Sequence, residues 1–138
     1  MMHKKILGIL LFTPFAIWTL PQFIIGLALS FVWRTHELKF DPSGYHVTVC
    51  RTRFTFAFSL AQFVFAPTCC NDDVLRHEIG HTMQSRYLGW LYLIIIGLPS
   101  FVLFCVKRVM KKDDRWYHSK FPESWANKLA QVHSEFYP

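Results

Sequence analysis

Two long apolar segments constrain this chain more than anything else in it. The first runs from Ile6 to Trp33 without a charged side chain, after Lys4 and Lys5 and before Arg34. The second runs from Leu88 to Val106 and is followed by Lys107, Arg108, Lys111 and Lys112. At about 1.5 Å per residue, either can cross about 30 Å of hydrocarbon as a helix. A chain of 138 residues builds a single core, too small to bury both. Composition points the same way, because only 17% of residues are charged where a soluble domain has roughly a quarter. An aromatic content of 17% excludes disorder, and four cysteines are too few for a disulfide scaffold. The sequence predicts an integral protein of the plasma or inner membrane, with the lipid bilayer as a partner. The net charge of +6 fits basic loops on the cytoplasmic side and anionic headgroups better than nucleic acid, and no nucleic-acid partner is expected.

Ile6–Trp33 is about twice as long as the apolar core of a signal peptide and contains Pro14 and Pro21, so it is read as a retained anchor. Both segments are interrupted, the second by Gly97-Leu98-Pro99-Ser100. Each is therefore a kinked transmembrane helix or a re-entrant hairpin.

The polar stretch between them alternates with period two over Tyr45–Cys50 and Phe54–Ser59, after a turn at Asp41-Pro42-Ser43-Gly44. A small antiparallel sheet is expected over 36–66, ended by Pro67. Asn71-Asp72-Asp73 supplies an N-cap and first-turn acids for a helix over 72–87. Pro122 and Glu123 open a C-terminal helix over 122–134. The fold class is an α+β membrane protein in one domain.

The middle helix carries His77-Glu78-Ile79-Gly80-His81, an H-E-x-x-H motif. Residues i and i+4 share a helix face, so both imidazoles can bind one Zn²⁺. Glu78 lies beside that face and can act as general base on a metal-activated water. With seven histidines in the chain, chance produces on the order of 0.01 such matches. Gly80 disfavours helix by roughly 1 kcal/mol against alanine, which implies close approach by a strand or a substrate backbone. A catalytic zinc takes three protein ligands. The third is sought among Glu123, His118, His46, His36 and His133. Glu123 and Asn127 share a helix face, so Glu123 can ligate while Asn127 hydrogen-bonds a ligand histidine.

H-E-x-G-H followed by E-x-x-A-N resembles the gluzincin metallopeptidases, above all the membrane-embedded HtpX and CAAX prenyl protease group. The resemblance implies His77, His81 and Glu123 as zinc ligands, Glu78 as catalytic base and Asn127 as a supporting residue. It also implies a sheet edge strand that binds substrate backbone, expected within 54–66.

A simple span over Leu88–Val106 would put His77 and Glu123 on opposite sides of the membrane. Re-entrant hairpins, the second turning at Gly97–Ser100, would keep every basic residue and both metal motifs on one side, at the membrane surface. The rival geometry keeps two spans and recruits His36 or His46 as third ligand. Tyr117, His118 or His133 could stabilise an oxyanion beside the zinc. The expected function is a zinc-dependent endopeptidase acting on a peptide or membrane-protein substrate. The alternatives are a non-catalytic, metal-stabilised membrane adaptor and a site-2-type intramembrane protease.

Overall fold

A computed structural model describes residues 15–33 and 35–132 of the chain. Within them lie four strands, β1 (His36–Phe40), β2 (His46–Thr52), β3 (Phe58–Leu60) and β4 (Phe63–Pro67). Six α-helices accompany them: α1 (Phe15–Trp18), α2 (Leu20–Ser30), α3 (Asp72–Leu88), α4 (Leu98–Met110), α5 (Asp114–His118) and α6 (Glu123–Leu129). The architecture is α+β.

The strands form one sheet in the order β1-β2-β4-β3. The expected antiparallel sheet is mixed instead, because β2 and β4 run parallel, with Thr48 opposite Phe63 and Thr52 opposite Pro67. The β3–β4 hairpin turns at Ala61, held at φ 52°, and inserts β4 rather than β3 beside β2. Period-two alternation records which face a residue takes, not which strand lies next to it.

That alternation sorts the core into two layers. Cys50, Phe63 and Phe65 face α2 and pack with Phe23. Val47, Val49, Val64 and Ala66 face the other way, onto Leu75 and Ile79 of α3. The metal-motif helix thus lies flat on one sheet face. Its start is fixed by Asn71, whose side chain accepts a hydrogen bond from the Asp73 amide at 3.1 Å, and its end by Gly89 at φ 54°. Gln22 of α2 reaches that end, donating to the Gly89 carbonyl at 2.6 Å and to Ser85 Oγ at 3.2 Å.

Leu88–Val106 forms no hairpin. After a 3₁₀ turn at Gly89–Leu91 the chain is helical from Leu93 to Met110, and Gly97–Ser100 lies inside that helix. A π turn over Leu93–Gly97 precedes Pro99, which accommodates the proline's missing N–H without breaking the helix. Leu93–Met110 has a mean hydropathy of 2.0, and 6% of it is buried. Among the described residues it is the one helix long and apolar enough to cross a membrane. Of the first apolar segment, the described part is α1 and the 11-residue α2, too short to span at about 1.5 Å per residue. Residues 6–14 lie outside the described residues.

The separation of His77 from Glu123 is overcome by the chain doubling back. Lys111 adopts a left-handed conformation that stops α4. Asp113 then caps α5, accepting from the Trp116 amide at 2.8 Å. An ion pair between Lys107 and Asp114 ties α5 to α4, and Lys107 Nζ lies 5.4 Å from the centre of the Tyr117 ring. The returning chain delivers α6 onto α3.

Candidate metal centre

Gly80 is where α3 and α6 cross. A Cβ at Gly80 would stand 2.2 Å from the Ala126 carbonyl oxygen and 2.8 Å from its carbon. The close approach that the glycine permits is therefore by a helix, not by a strand or a substrate. It sets Glu123 and Asn127, on either side of Ala126, against His77 and His81.

The geometry converges on one carboxylate oxygen. Glu123 Oε2 lies 2.9 Å from His77 Nε2 and 3.1 Å from His81 Nε2. Each imidazole is held from behind by an amide oxygen, His77 Nδ1 by Asn127 Oδ1 at 2.7 Å and His81 Nδ1 by Gln84 Oε1 at 2.7 Å. A proton on each Nδ1 satisfies those contacts and leaves both Nε2 atoms facing the centre, the orientation a metal ligand needs. Gln84 also donates to the Pro122 carbonyl at 2.9 Å, so it braces the start of α6. Glu123 Oε1 accepts from Ser100 Oγ of α4.

His118 joins from α5. Its ring centre is 4.6 Å from that of His77, and ligand atoms of His77, His118 and Glu123 all lie within 4.8 Å of one another. This group could hold a metal ion, and its donor set of two imidazoles and a carboxylate fits one. His36 and His46 are elsewhere, His36 Nε2 at 2.9 Å from the Ser30 carbonyl and His46 against the Phe40 ring. Neither is a third ligand, contrary to the two-span alternative. His133 lies outside the described residues.

Burial and charge set the protonation states. Burial works against a charged His81, but the hydrogen bond and charge of Glu123 outweigh it and raise its pKa to about 9. Burial likewise opposes ionisation of Glu123, yet the two histidines hold its carboxyl far below the usual range. The site thus keeps positive charge around a buried carboxylate, the place a divalent cation would take. Burial, helped by His77, lowers His118 to about 3, so its imidazole is neutral with a lone pair available. Burial and the Glu123 charge push the Tyr117 phenol well above its ordinary value, keeping it a hydrogen-bond donor.

Beside the centre opens a cavity of about 440 Å³, bounded by β3, α3 and α4, into which Glu78, His81, Ser100 and Tyr117 face. Glu78 is 7% exposed, and its Oε2 has no hydrogen-bond partner among the described residues. Burial raises its pKa, against the opposing pull of His81 and His77 and of a hydrogen bond with Ser59 of β3. The edge strand expected within 54–66 narrows to β3, since β4 is enclosed between β2 and β3.

Sequence reading missed Gln84, Ser100 and Ser59. Gln84 was legible as a polar residue three positions after His81, on the same helix face, and Ser100 as a hydroxyl within an apolar segment. Nothing in the local pattern marks Ser59. Comparison with models of known families, with curated proteins and with solved structures found no match, so the site is read from its own geometry.

Proposed function

We propose that this chain is a zinc-dependent integral membrane endopeptidase. The observation that carries the reading is Glu78, a buried carboxylate with an unpartnered oxygen in a cavity beside converging histidine and glutamate ligands. Buried polar groups are otherwise hydrogen-bonded. A carboxylate with one oxygen left free beside a metal centre suits a general base awaiting water.

His77, His81 and Glu123 would hold the zinc, with Asn127 and Gln84 orienting the two imidazoles. Zinc, when bound, would supply Lewis acidity, polarising the scissile carbonyl and lowering the pKa of a water from 15.7 to about 7. Glu78 stands where a general base would accept a proton from the attacking water and return it to the leaving amine. Tyr117 is placed on the cavity wall to donate to the oxyanion. The exposed stripe of Ile94, Leu98, Phe101 and Val109 on the long helix supports insertion in a bilayer. Lys107, Arg108, Lys111 and Lys112 at its end support a cytoplasmic face.

Glu78→Gln tests the catalytic assignment. It should abolish peptide cleavage and leave zinc content intact, and cleavage at the wild-type rate would refute it. A second reading, a non-catalytic membrane adaptor stabilised by zinc, is favoured by His118. Were His118 a fourth ligand, the site would be closed in the manner of structural zinc. His118→Ala separates the two: the peptidase reading expects zinc to be retained, whereas the adaptor reading expects zinc to be lost and no peptide to be cleaved.

A further inference from the structure

Between Leu98 and Val106 the long apolar helix carries a single hydroxyl side chain, Ser100. It stands on the inward side of α4, in line with Gly97 and Phe104, three residues before it and four after, which border the same cavity. A hydroxyl withdrawn from water needs a partner, and this one finds it on another helix, donating from Ser100 Oγ to Glu123 Oε1. Glu123 is completely buried, so neither of its oxygens is served by bulk water. The two oxygens have different duties. Oε2 lies against His77 Nε2 and His81 Nε2 at 2.9 and 3.1 Å, whereas Oε1 is taken by α4.

Tyr117 approaches the same group from α5. Its hydroxyl is 3.4 Å from Ser100 Oγ and also hydrogen-bonds the Glu123 carboxylate. Each hydroxyl has one proton to give. With Ser100 donating to Oε1, the Tyr117 proton is not required there and can turn into the cavity, towards an oxyanion. Ser100 thereby separates two tasks that one phenol could not perform together.

We infer that Ser100 is a positioning residue of the metal centre, which holds Glu123 Oε1 away from the metal so that Glu123 ligates through Oε2 alone and one coordination place stays open for water beside Glu78. The inference rests on the peptidase reading for the water, and on the Ser100–Glu123 bond for the ligand. A carboxylate can bind a cation through one oxygen or through both. A buried oxygen deprived of its donor is costly, and the cation beside it is then its strongest partner. A second carboxylate oxygen would fill the place that a catalytic zinc keeps open. The bond also ties the ligand directly to the apolar helix, 23 positions earlier in the chain.

The test is the visible absorption of cobalt(II)-loaded protein in lipid nanodiscs. Cobalt(II) substitutes for zinc, and its absorption weakens when a fifth ligand atom joins four. Wild-type protein should give the intense four-coordinate spectrum and Ser100→Ala the weaker five-coordinate one. Ser100→Thr keeps the hydroxyl and should restore the wild-type spectrum. Ser100→Val has the shape of threonine without the hydroxyl and should match alanine, so it decides the matter should the alanine variant fail to fold. A role in helix packing alone would not separate threonine from valine. Peptide cleavage should fall about 10–100-fold in the alanine and valine proteins. Equal spectra in wild-type, alanine and valine proteins overturn the inference, as does a wild-type spectrum that is already five-coordinate. Wild-type protein that takes up no cobalt removes the metal centre, and the inference with it. If the spectra separate as expected but wild-type protein cleaves no peptide, the peptidase reading fails and the positioning role stands.

Discussion

Replacing Gly80 with alanine adds a single methyl group at the crossing of α3 and α6. By helix propensity alone the change favours α3 by about 1 kcal/mol. The tertiary structure opposes it, because the new Cβ would stand 2.2 Å from the Ala126 carbonyl oxygen, where ordinary contact begins at 3.4 Å. The obstacle is backbone and cannot rotate aside, so α6 must withdraw by about 1.2 Å. Glu123 and Asn127 withdraw with it. Their contacts to His77 and His81, now 2.7 to 3.1 Å, would then pass beyond hydrogen-bond range. Overpacking costs about 1–3 kcal/mol, and each lost hydrogen bond to a charged group about 1.5–3 kcal/mol. Counting the overpacking and only one of these bonds against the propensity gain, the variant should lose at least about 1.5 kcal/mol of stability and at least about 100-fold in zinc affinity, since one misplaced supporting residue alone costs about 10–100-fold. Thermal unfolding of metal-free protein in detergent micelles measures the first quantity, and competition with a chelator the second. Gly97→Ala is the control, expected to unfold at or above the wild-type temperature because its Cβ meets only ordinary contacts. A Gly80→Ala protein with unchanged zinc affinity and unchanged unfolding temperature would refute the crossing as the device that assembles the site.

Three further outcomes follow from the same geometry. Gln84→Ala removes the amide oxygen behind His81 and the brace on Pro122, and should weaken zinc by about 10–100-fold; a chelator titration indistinguishable from wild type would rule that role out. In metal-free protein the His81 pKa is raised from 6.5 to about 9, so its contribution to stability is complete below about pH 6.5 and is lost as pH rises through 9. The metal-free unfolding temperature should therefore fall from about pH 7 to about pH 10 while zinc affinity climbs, because less proton is displaced; a rise in the metal-free value would exclude the His81–Glu123 pair. Cys105 and Cys69 are both exposed, Cys105 on the outward stripe of α4 and Cys69 before α3. In vesicles, a membrane-permeant apolar maleimide should label Cys105 and a charged aqueous one should reach Cys69 but not Cys105, compared through Cys105→Ser and Cys69→Ser variants; aqueous labelling of Cys105 would contradict insertion of α4.

Much of the site is local and could be read along the chain. His77 and His81 fall on one face because the helix repeats every 3.6 residues, and the Asn71 cap with its following acids marks where that helix starts. Glu123 and Asn127 share a face of α6 by the same spacing. The sheet was legible as strands but not as a topology. Nothing in Tyr45–Cys50 or Phe63–Pro67 encodes that β2 and β4 run parallel, since that depends on where the β3–β4 hairpin docks. Gly97-Leu98-Pro99-Ser100 carries turn-like residues, yet the π turn before it absorbs the proline and the helix continues.

What the amino-acid sequence determined by itself was chemistry with a short reach: a paired-histidine helix with an acid beside the second position, a later helix offering a carboxylate and an amide, and a surplus of apolar residues. What only the tertiary structure decided was their meeting. The chain turns at Lys111, returns along α4 and presses α6 against the one position of α3 that lacks a side chain. Helix periodicity reaches a few residues, whereas His77 and Glu123 are 46 positions apart, and contacts at that separation are set by which surfaces pack.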